Sequence, residues 1–234
     1  MEEILGIKID NLTETEIRQK VESFLSEDKF HQIATINPEF ILTAQKNSEF
    51  KDILNACDLN IADGFGIQLA FLRYGKFLKH RMTGADLMAE ILQIANEKRL
   101  PVFLVANKNG LSSWEETGDA LLKIYPKLTI AGVNLEKENI NYKLQTANYK
   151  LIFCNFGAPY QEIFLKSPKN GNIRLAMGVG GSFDYLTGKI SRAPRFLRQI
   201  GLEWLWRLIL QPKRAKRIFK AVVIFPIKVL FAKK

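Results

Sequence analysis

The chain has 234 residues and 47% hydrophobic content, enough for one large domain or a domain with an appendage. Two cysteines without metal-ligand spacing, Cys57 and Cys154, argue against a disulfide scaffold, and two histidines, His31 and His80, argue against a His-rich metal site. The net charge of +10 is concentrated at one end: Ser191 to Lys234 holds twelve Lys or Arg and one acid, Glu203, whereas the rest holds 22 basic and 23 acidic groups. Such asymmetry predicts an anionic partner for the tail: a membrane surface, a nucleic acid or a phosphorylated substrate.

Met1 to Gly6 has no basic stretch followed by a long apolar run, so no signal peptide is expected, and a reducing cytosolic location is the default. Ile4 to Ile9 alternates as an early strand or hairpin. Thr13 and Glu16 form a T-x-x-E capping box before the helix face of Ile17, Val21, Phe24 and Leu25. Gln32 to Ile36 reads as a strand, and Pro38 suits the first turn of the helix that follows. Thr35 and Asn37 therefore stand at a strand end before a helix N-terminus.

The same arrangement recurs at Asp58-Leu-Asn-Ile-Ala-Asp-Gly-Phe-Gly66. Leu59 to Ala62 is a short buried strand, Asp63 stands at its end, Gly64 and Gly66 bracket a turn, and Ile67 to Tyr74 has helical spacing. Parallel-sheet proteins bind ligands beyond the carboxyl ends of their strands, where glycines let the backbone approach. Asp63 reads equally as a chemical carboxylate and as the cap of the next helix. Thr83 and Asp86 make a second capping box, opening a helix that runs to about Arg99, and Arg81 lies one turn before it, where an anion is favoured.

Pro101 to Ala106 is an apolar strand. A turn at Asn107 to Gly110 leads to a helix capped by Ser112 or Ser113 and running through Ile124. Lys127 to Ala131 reads as a strand ending in Gly132, Glu136 to Thr146 as a helix, Lys150 to Cys154 as a strand and Ile173 to Met177 as another. Gly178-Val-Gly-Gly is only loosely similar to a phosphate loop, and no G-x-G-x-x-G or Walker A sequence occurs. Short apolar strands alternating with helices predict an α/β fold, a Rossmann-like, mostly parallel sheet with helices on both faces.

From residue 191 the pattern changes. Phe196, Leu197, Ile200, Trp204, Leu205 and Leu208 interleave with Arg195, Arg198 and Arg207, followed by Pro212-Lys-Arg-Ala-Lys-Arg217 and a nearly all-aliphatic Val222 to Phe231. The uncharged run is shorter than the roughly 20 residues of a membrane-spanning helix. The expected division is a core at 1–190 and a basic C-terminal helical appendage at 191–234. Three readings compete for the appendage: a helix in the membrane interface, plain packing on the core, and nucleic-acid binding. The first is favoured because single-strand binders set their aromatics among polar residues.

Taken in order, Thr35-Ile-Asn-Pro-Glu39, Ala62-Asp-Gly-Phe-Gly66, Arg81-Met-Thr-Gly84, Phe156-Gly-Ala-Pro-Tyr-Gln-Glu162, Gly178-Val-Gly-Gly-Ser-Phe-Asp184, Arg192-Ala-Pro194 and Gly201-Leu-Glu-Trp-Leu-Trp-Arg-Leu208 resemble the WecG/TagA/CpsF glycosyltransferases of bacterial cell-envelope polysaccharide synthesis. The resemblance runs from about Gly6 to the tail. It implies inverting transfer of a sugar, best known as N-acetylmannosamine or its uronic acid, from a UDP-sugar to a polyprenyl-diphosphate-linked acceptor at the cytoplasmic membrane face. By resemblance Asp63 is the base, with Thr35, Asn37, Arg81 and Gln161 completing the catalytic set. Asn107, Gly132, Gly157 and Gly180 are expected at the donor, and Arg207, Arg214 and Arg217 at a diphosphate.

No metal and no other cofactor is expected. The partners expected are the nucleotide-sugar donor, the lipid-linked acceptor and an anionic membrane surface met by 191–234, not nucleic acid, with a homo-oligomer left open. Two departures stand out: many relatives have Lys where this chain has Tyr160, and the segment after Gly132 lacks a Gly-Tyr pair frequent in users of UDP-sugars. The competing readings are a soluble nucleotide-dependent oxidoreductase on a Rossmann-like sheet and a basic nucleic-acid-binding protein.

Overall fold

The computed structural model describes residues 1–139, 141–144, 146–166 and 172–232. The alternation at the amino end becomes an antiparallel hairpin, β1 (Glu2–Ile4) and β2 (Ile7–Ile9), turned by Leu5 and Gly6. Thr13 starts α1 (Glu14–Ser26) with the full reciprocal box, Glu16 N–H donating to the Thr13 hydroxyl and Thr13 N–H to the Glu16 carboxylate. Next come β3 (His31–Ile36), α2 (Pro38–Ala44), α3 (Ser48–Ala56), β4 (Leu59–Ala62), α4 (Phe65–Arg73) and α5 (Gly84–Lys98). The core ends with β5 (Val102–Asn107), α6 (Trp114–Ile124), β6 (Ile130–Leu135), β7 (Leu151–Cys154), α7 (Tyr160–Leu165), β8 (Leu175–Gly178) and α8 (Ser182–Leu186).

β3 to β8 form one six-stranded sheet in the order β4-β3-β8-β7-β5-β6, with every neighbouring pair parallel. Its strands are apolar on both sides because helices cover both faces. Alternate residues divide between them: Ile33, Ile61, Leu104, Phe153 and Met177 face α1, α5 and α6, while Ala34, Ile36 and Ala62 face the hairpin, α2, α3 and α4. Val105, Ile152, Cys154 and Ala176 continue that second face under α7. All six strands point their carboxyl ends the same way, so the polar residues just past them converge on one edge.

Two expectations are corrected. β6 begins at Ile130 rather than Lys127 and does not end in Gly132 but runs on to Leu135, because its register with β5 goes from Val102 opposite Ile130 to Asn107 opposite Leu135. The described residues of Glu136 to Thr146 form turns rather than a helix; Ile140 and Gln145 lie outside the described residues. Asn139 donates back to the Glu136 carbonyl and Tyr142 to that of Asn139, the local turn bonding that asparagine-rich segments favour over a helix.

The tail forms α9 (Arg195–Gln199), α10 (Glu203–Leu210), a 3-10 turn (Pro212–Arg214), α11 (Ala215–Phe219), a π turn (Lys220–Ile224) and α12 (Phe225–Phe231). The π turn lies just before Pro226, which has no N–H to donate, so the helix widens there instead of breaking. Phe225 and Val229 are buried, 1% and 3% exposed, against Ile67, Ala70 and Phe71 of α4. The Arg73 guanidinium donates to the Leu230 carbonyl at 3.1 Å. One face of the last helix is thus core packing, while Val222, Val223, Ile227, Leu230 and Phe231 remain exposed. Among the described residues no helix is long and apolar enough to cross a membrane.

Candidate active site

A cavity of about 560 Å³ opens at the carboxyl ends of the strands. Thr35, Asn37, Asp63, Asn107, Asn155 and the loop Gly178 to Ser182 form its floor, and Glu203, Trp204, Arg207, Gln211, Arg214 and Arg217 of the tail form its roof. The cavity is thus lined both from the sheet and from the appendage.

Asp63 lies half-buried at the bottom. It does not cap α4: the capping position is Gly64, at φ 90°, and carries no side-chain bond. The carboxylate instead accepts from the Gly84 N–H at 3.4 Å, the first amide of α5. Burial pushes its pKa up to about 6 and the charge of Glu203 adds to the rise, while Arg207, the Gly84 N–H and Arg81 hold it back. A carboxyl titrating near 6 is ionised at pH 7 yet a stronger base than an exposed Asp, as general-base catalysis requires.

Thr35 and Asn37 come beside it from the end of β3. A Cβ on residue 84 would stand 3.1 Å from the Thr35 hydroxyl oxygen, so Gly84 lets α5 start close to β3. Asn37 spends its carbonyl oxygen capping α2, accepting from Glu39 and Phe40 N–H at 3.0 and 3.1 Å, which leaves its amide nitrogen for the cavity. Arg81 faces Asp63 and donates to the Arg198 carbonyl at 2.7 Å, joining the site to α9. Thr83 caps α5, but the box with Asp86 is only half formed: the Asp86 carboxylate takes the Thr83 hydroxyl and Arg192, the latter at 2.7 Å.

The three tail arginines gather at the roof. Arg207 pairs with Glu203 at 2.9 Å and lies over the Tyr185 ring at 5.3 Å. Burial works against its charge, but Tyr185, Glu203 and Asp63 outweigh that and hold it above its ordinary range. Arg217 grips Glu39 at the start of α2 with two bonds of 2.7 Å. Arg214 makes no ion pair among the described residues, and burial together with Arg217 and Arg207 pushes its pKa down. Two positive neighbours and one unpaired guanidinium describe a place that gains from a polyanion.

Other predicted residues take different parts. Gln161 borders the cavity but is buried, and its oxygen accepts from the N–H groups of Gly157 at 3.0 Å and Gly180 at 3.1 Å. The Gly180 N–H is therefore committed to the protein, which weakens the comparison with a phosphate loop. Gly157, Gly180 and Asn107 border the cavity, and Asn107 uses its own oxygen to hold the turn at Asn109. Gly132 does not border it. A Cβ there would fall 2.4 Å from the Leu104 carbonyl oxygen and 2.7 Å from Trp114, so this glycine serves close packing inside β6. His31 sits at the other end of β3 between Glu27 and Asp58, and among the described residues no cluster of three or more His, Cys, Asp or Glu could hold a metal.

Sequence reasoning passed over Glu203, Glu39, Asn155 and Glu162. Glu203 had one signal, being the single acid of the basic tail. Asn155 holds the Asn107 N–H at 2.6 Å, a contact between the ends of neighbouring strands that spacing does not reveal.

The chain is similar over nearly its whole length to known proteins. The model of the glycosyl transferase WecG/TagA/CpsF family matches residues 2–234. Among similar curated proteins is the N-acetylglucosaminyldiphosphoundecaprenol N-acetyl-beta-D-mannosaminyltransferase of Staphylococcus aureus strain MRSA252, 30% identical over 239 residues that cover 99% of this chain and 93% of that protein. The protein of the same name from strain NCTC 8325 matches at the same identity and coverage. A match over nearly the whole length displaces the oxidoreductase reading, and the chain belongs to the WecG/TagA/CpsF family of glycosyl transferases.

Proposed function

We propose that the protein transfers N-acetylmannosamine, with inversion, from a UDP-sugar to an N-acetylglucosamine linked through diphosphate to a polyprenol, in the building of cell-envelope polysaccharide or teichoic acid. The observation that carries this reading is Asp63, a carboxyl with a pKa of about 6 at the bottom of a cavity roofed by arginines. In the proposed reaction an acceptor hydroxyl attacks the anomeric carbon, its proton passes to Asp63, and the bond from that carbon to the diphosphate oxygen breaks. Arg81 and the start of α5 take up the charge growing on the departing UDP.

The acceptor diphosphate belongs under Arg207, Arg214 and Arg217, because apolar residues share the cavity lining. Phe65 and Leu69 of α4 and Ile218, Val222 and Pro226 of the tail line the cavity together with these arginines. A phosphate carrying a hydrocarbon chain fits a pocket that is both cationic and apolar. Leu72 of α4 and Ile227, Leu230 and Phe231 of α12 are exposed as well, and the tail also exposes Lys213, Lys216 and Lys220. Residues 191–234 then serve as an appendage that holds the core at 1–190 peripherally on the cytoplasmic leaflet, each cation contributing about 1 kcal/mol near anionic lipid.

The arginines supply the charge compensation, so transfer is proposed to need no metal. The test is mass-spectrometric detection of transfer by the full chain from a panel of UDP-sugars to synthetic polyprenyl-diphosphate N-acetylglucosamine, with EDTA present. Transfer from UDP-N-acetylmannosamine is the expected result. Transfer from another sugar alone would correct the donor, and dependence on added divalent cation would overturn the role given to the arginines.

A further inference from the structure

Behind the cavity floor lies an acid that the transfer chemistry does not use. Glu162, in the first turn of α7, is 1% exposed. Its Oε1 accepts from Gln161 Nε2 at 2.6 Å, and its Oε2 is buried without a hydrogen-bond partner. Gln161 passes this contact on, since its oxygen gathers the N–H groups of Gly157 and Gly180, which belong to the loops after β7 and β8. The pair fits because residue 178 is glycine: a Cβ there would fall 2.3 Å from Gln161 Nε2 and 2.6 Å from Glu162 Oε1. Gln32 of β3 holds the Glu162 backbone carbonyl at 3.2 Å. The other titratable groups facing the carboxyl are the thiols of Cys57 and Cys154, both held protonated by burial. No cation among the described residues acts on it.

We infer that Glu162 is a positioning residue, holding through Gln161 the two glycine loops that border the cavity. Burial pushes its carboxyl up to about 8, although the bond from Gln161 pulls the other way. At pH 7 it is a neutral acceptor for the Gln161 amide. Once ionised it would be a charge with one side-chain donor and no counter-ion, and such a charge is relieved by rearrangement around it. The parts free to rearrange are the Gln161 amide and the two loops it ties. The floor is therefore expected to loosen on the alkaline side.

The kinetic half of this inference rests on the transfer reaction proposed above, and the spectroscopic half does not. In Glu162→Gln the new amide oxygen still accepts from Gln161 but cannot ionise. The experiment follows the amide resonances of Gly157 and Gly180 and the KM for the UDP-sugar from pH 7 to pH 9, in the wild type and in this variant. In the wild type both resonances are expected to move with a midpoint near 8, and KM to rise by about fivefold or more as the floor loosens. In the variant both stay flat, with activity at pH 7 within about twofold of wild type.

Wild-type resonances that do not move over this range would overturn the inference, and they decide it even if the variant does not fold. An alkaline rise in KM that persists in the variant would also overturn it, as would a folded variant with a large loss of kcat at pH 7. Moving resonances in a wild type that transfers no sugar would sink the transferase reading and leave the role of Glu162 standing.

Discussion

Asp63→Asn is expected to abolish transfer and to stabilise the fold, and the second effect can be worked from the structure. The carboxyl is raised from its ordinary 3.8 to about 6. At about 1.4 kcal/mol per pKa unit, keeping it ionised in the folded protein costs about 3 kcal/mol. The sign follows from linkage. The folded state binds this proton more tightly than the unfolded state, so the contribution is fully present below the unfolded pKa and is lost as pH rises through 6. Asn carries no charge and still offers an oxygen to the Gly84 N–H, and the attractions of Arg207 and Arg81 are already contained in the raised value. The gain should therefore be about half developed at pH 5 and complete by pH 7, with about 3 kcal/mol as its upper bound because water entering the open cavity softens the cost. Urea unfolding of both proteins at pH 5 and pH 8 measures it, and transfer at pH 7 should fall by about 100-fold or more. A stability difference that is flat with pH, or a variant less stable at pH 8, would refute the argument that Asp63 is a desolvated carboxylate. Near-normal turnover would remove it as the base.

Gly132→Ala should lower stability by about 1–3 kcal/mol, since its Cβ would collide with the Leu104 carbonyl and Trp114, and leave the donor KM of the folded protein unchanged. A raised donor KM with unchanged melting would return Gly132 to the donor site. Phe225→Ala removes a fully buried ring that ties the tail to α4, at a cost of about 3–5 kcal/mol. Limited proteolysis should then cut within 191–234 while the core stays intact, with transfer falling as Arg207, Arg214 and Arg217 leave the roof. A tail that remains protected in that variant would mean that contacts other than Phe225 hold it.

What was legible in the sequence was what local chemistry dictates. A strand followed by Asp and glycines marks Asp63, a strand followed by Asn and Pro marks Thr35 and Asn37, and a capping Thr marks the helix beside Arg81. The end of β6 was misplaced because a strand's length is set by its partner: β5 offers pairs as far as Asn107, and Gly132 is carried inside the ladder. The bonding of Gln161 was invisible for a related reason. Its bonds join residues 4 and 19 positions away, and they exist only once the ends of β7 and β8 lie side by side. Of the readings of the tail, packing is seen on one face of α12, at Phe225 and Val229, while the opposite face, with Ile227, Leu230 and Phe231, stays exposed; a sequence window does not separate the two faces.

The first turn of α5 explains how core and tail become a single site. Its first amide, from Gly84, goes to Asp63. Its cap, Thr83, accepts a bond from Arg192 at 3.0 Å, and Asp86 in the same turn pairs with Arg192 and lies 3.7 Å from Arg198. Arg81, just ahead of this turn, faces Asp63 and holds the Arg198 carbonyl. The groups that set the proton affinity of Asp63 are thus bonded to the chain that leads into α10, and α10 supplies the two strongest charges acting on it, Glu203 raising the pKa and Arg207 lowering it. Lifting the tail would remove both at once and admit water to Asp63, which lowers the desolvation that raises its pKa. In this geometry the basicity of Asp63 belongs to the docked state, so a core whose tail is undocked keeps the carboxylate but loses the environment that raises its pKa.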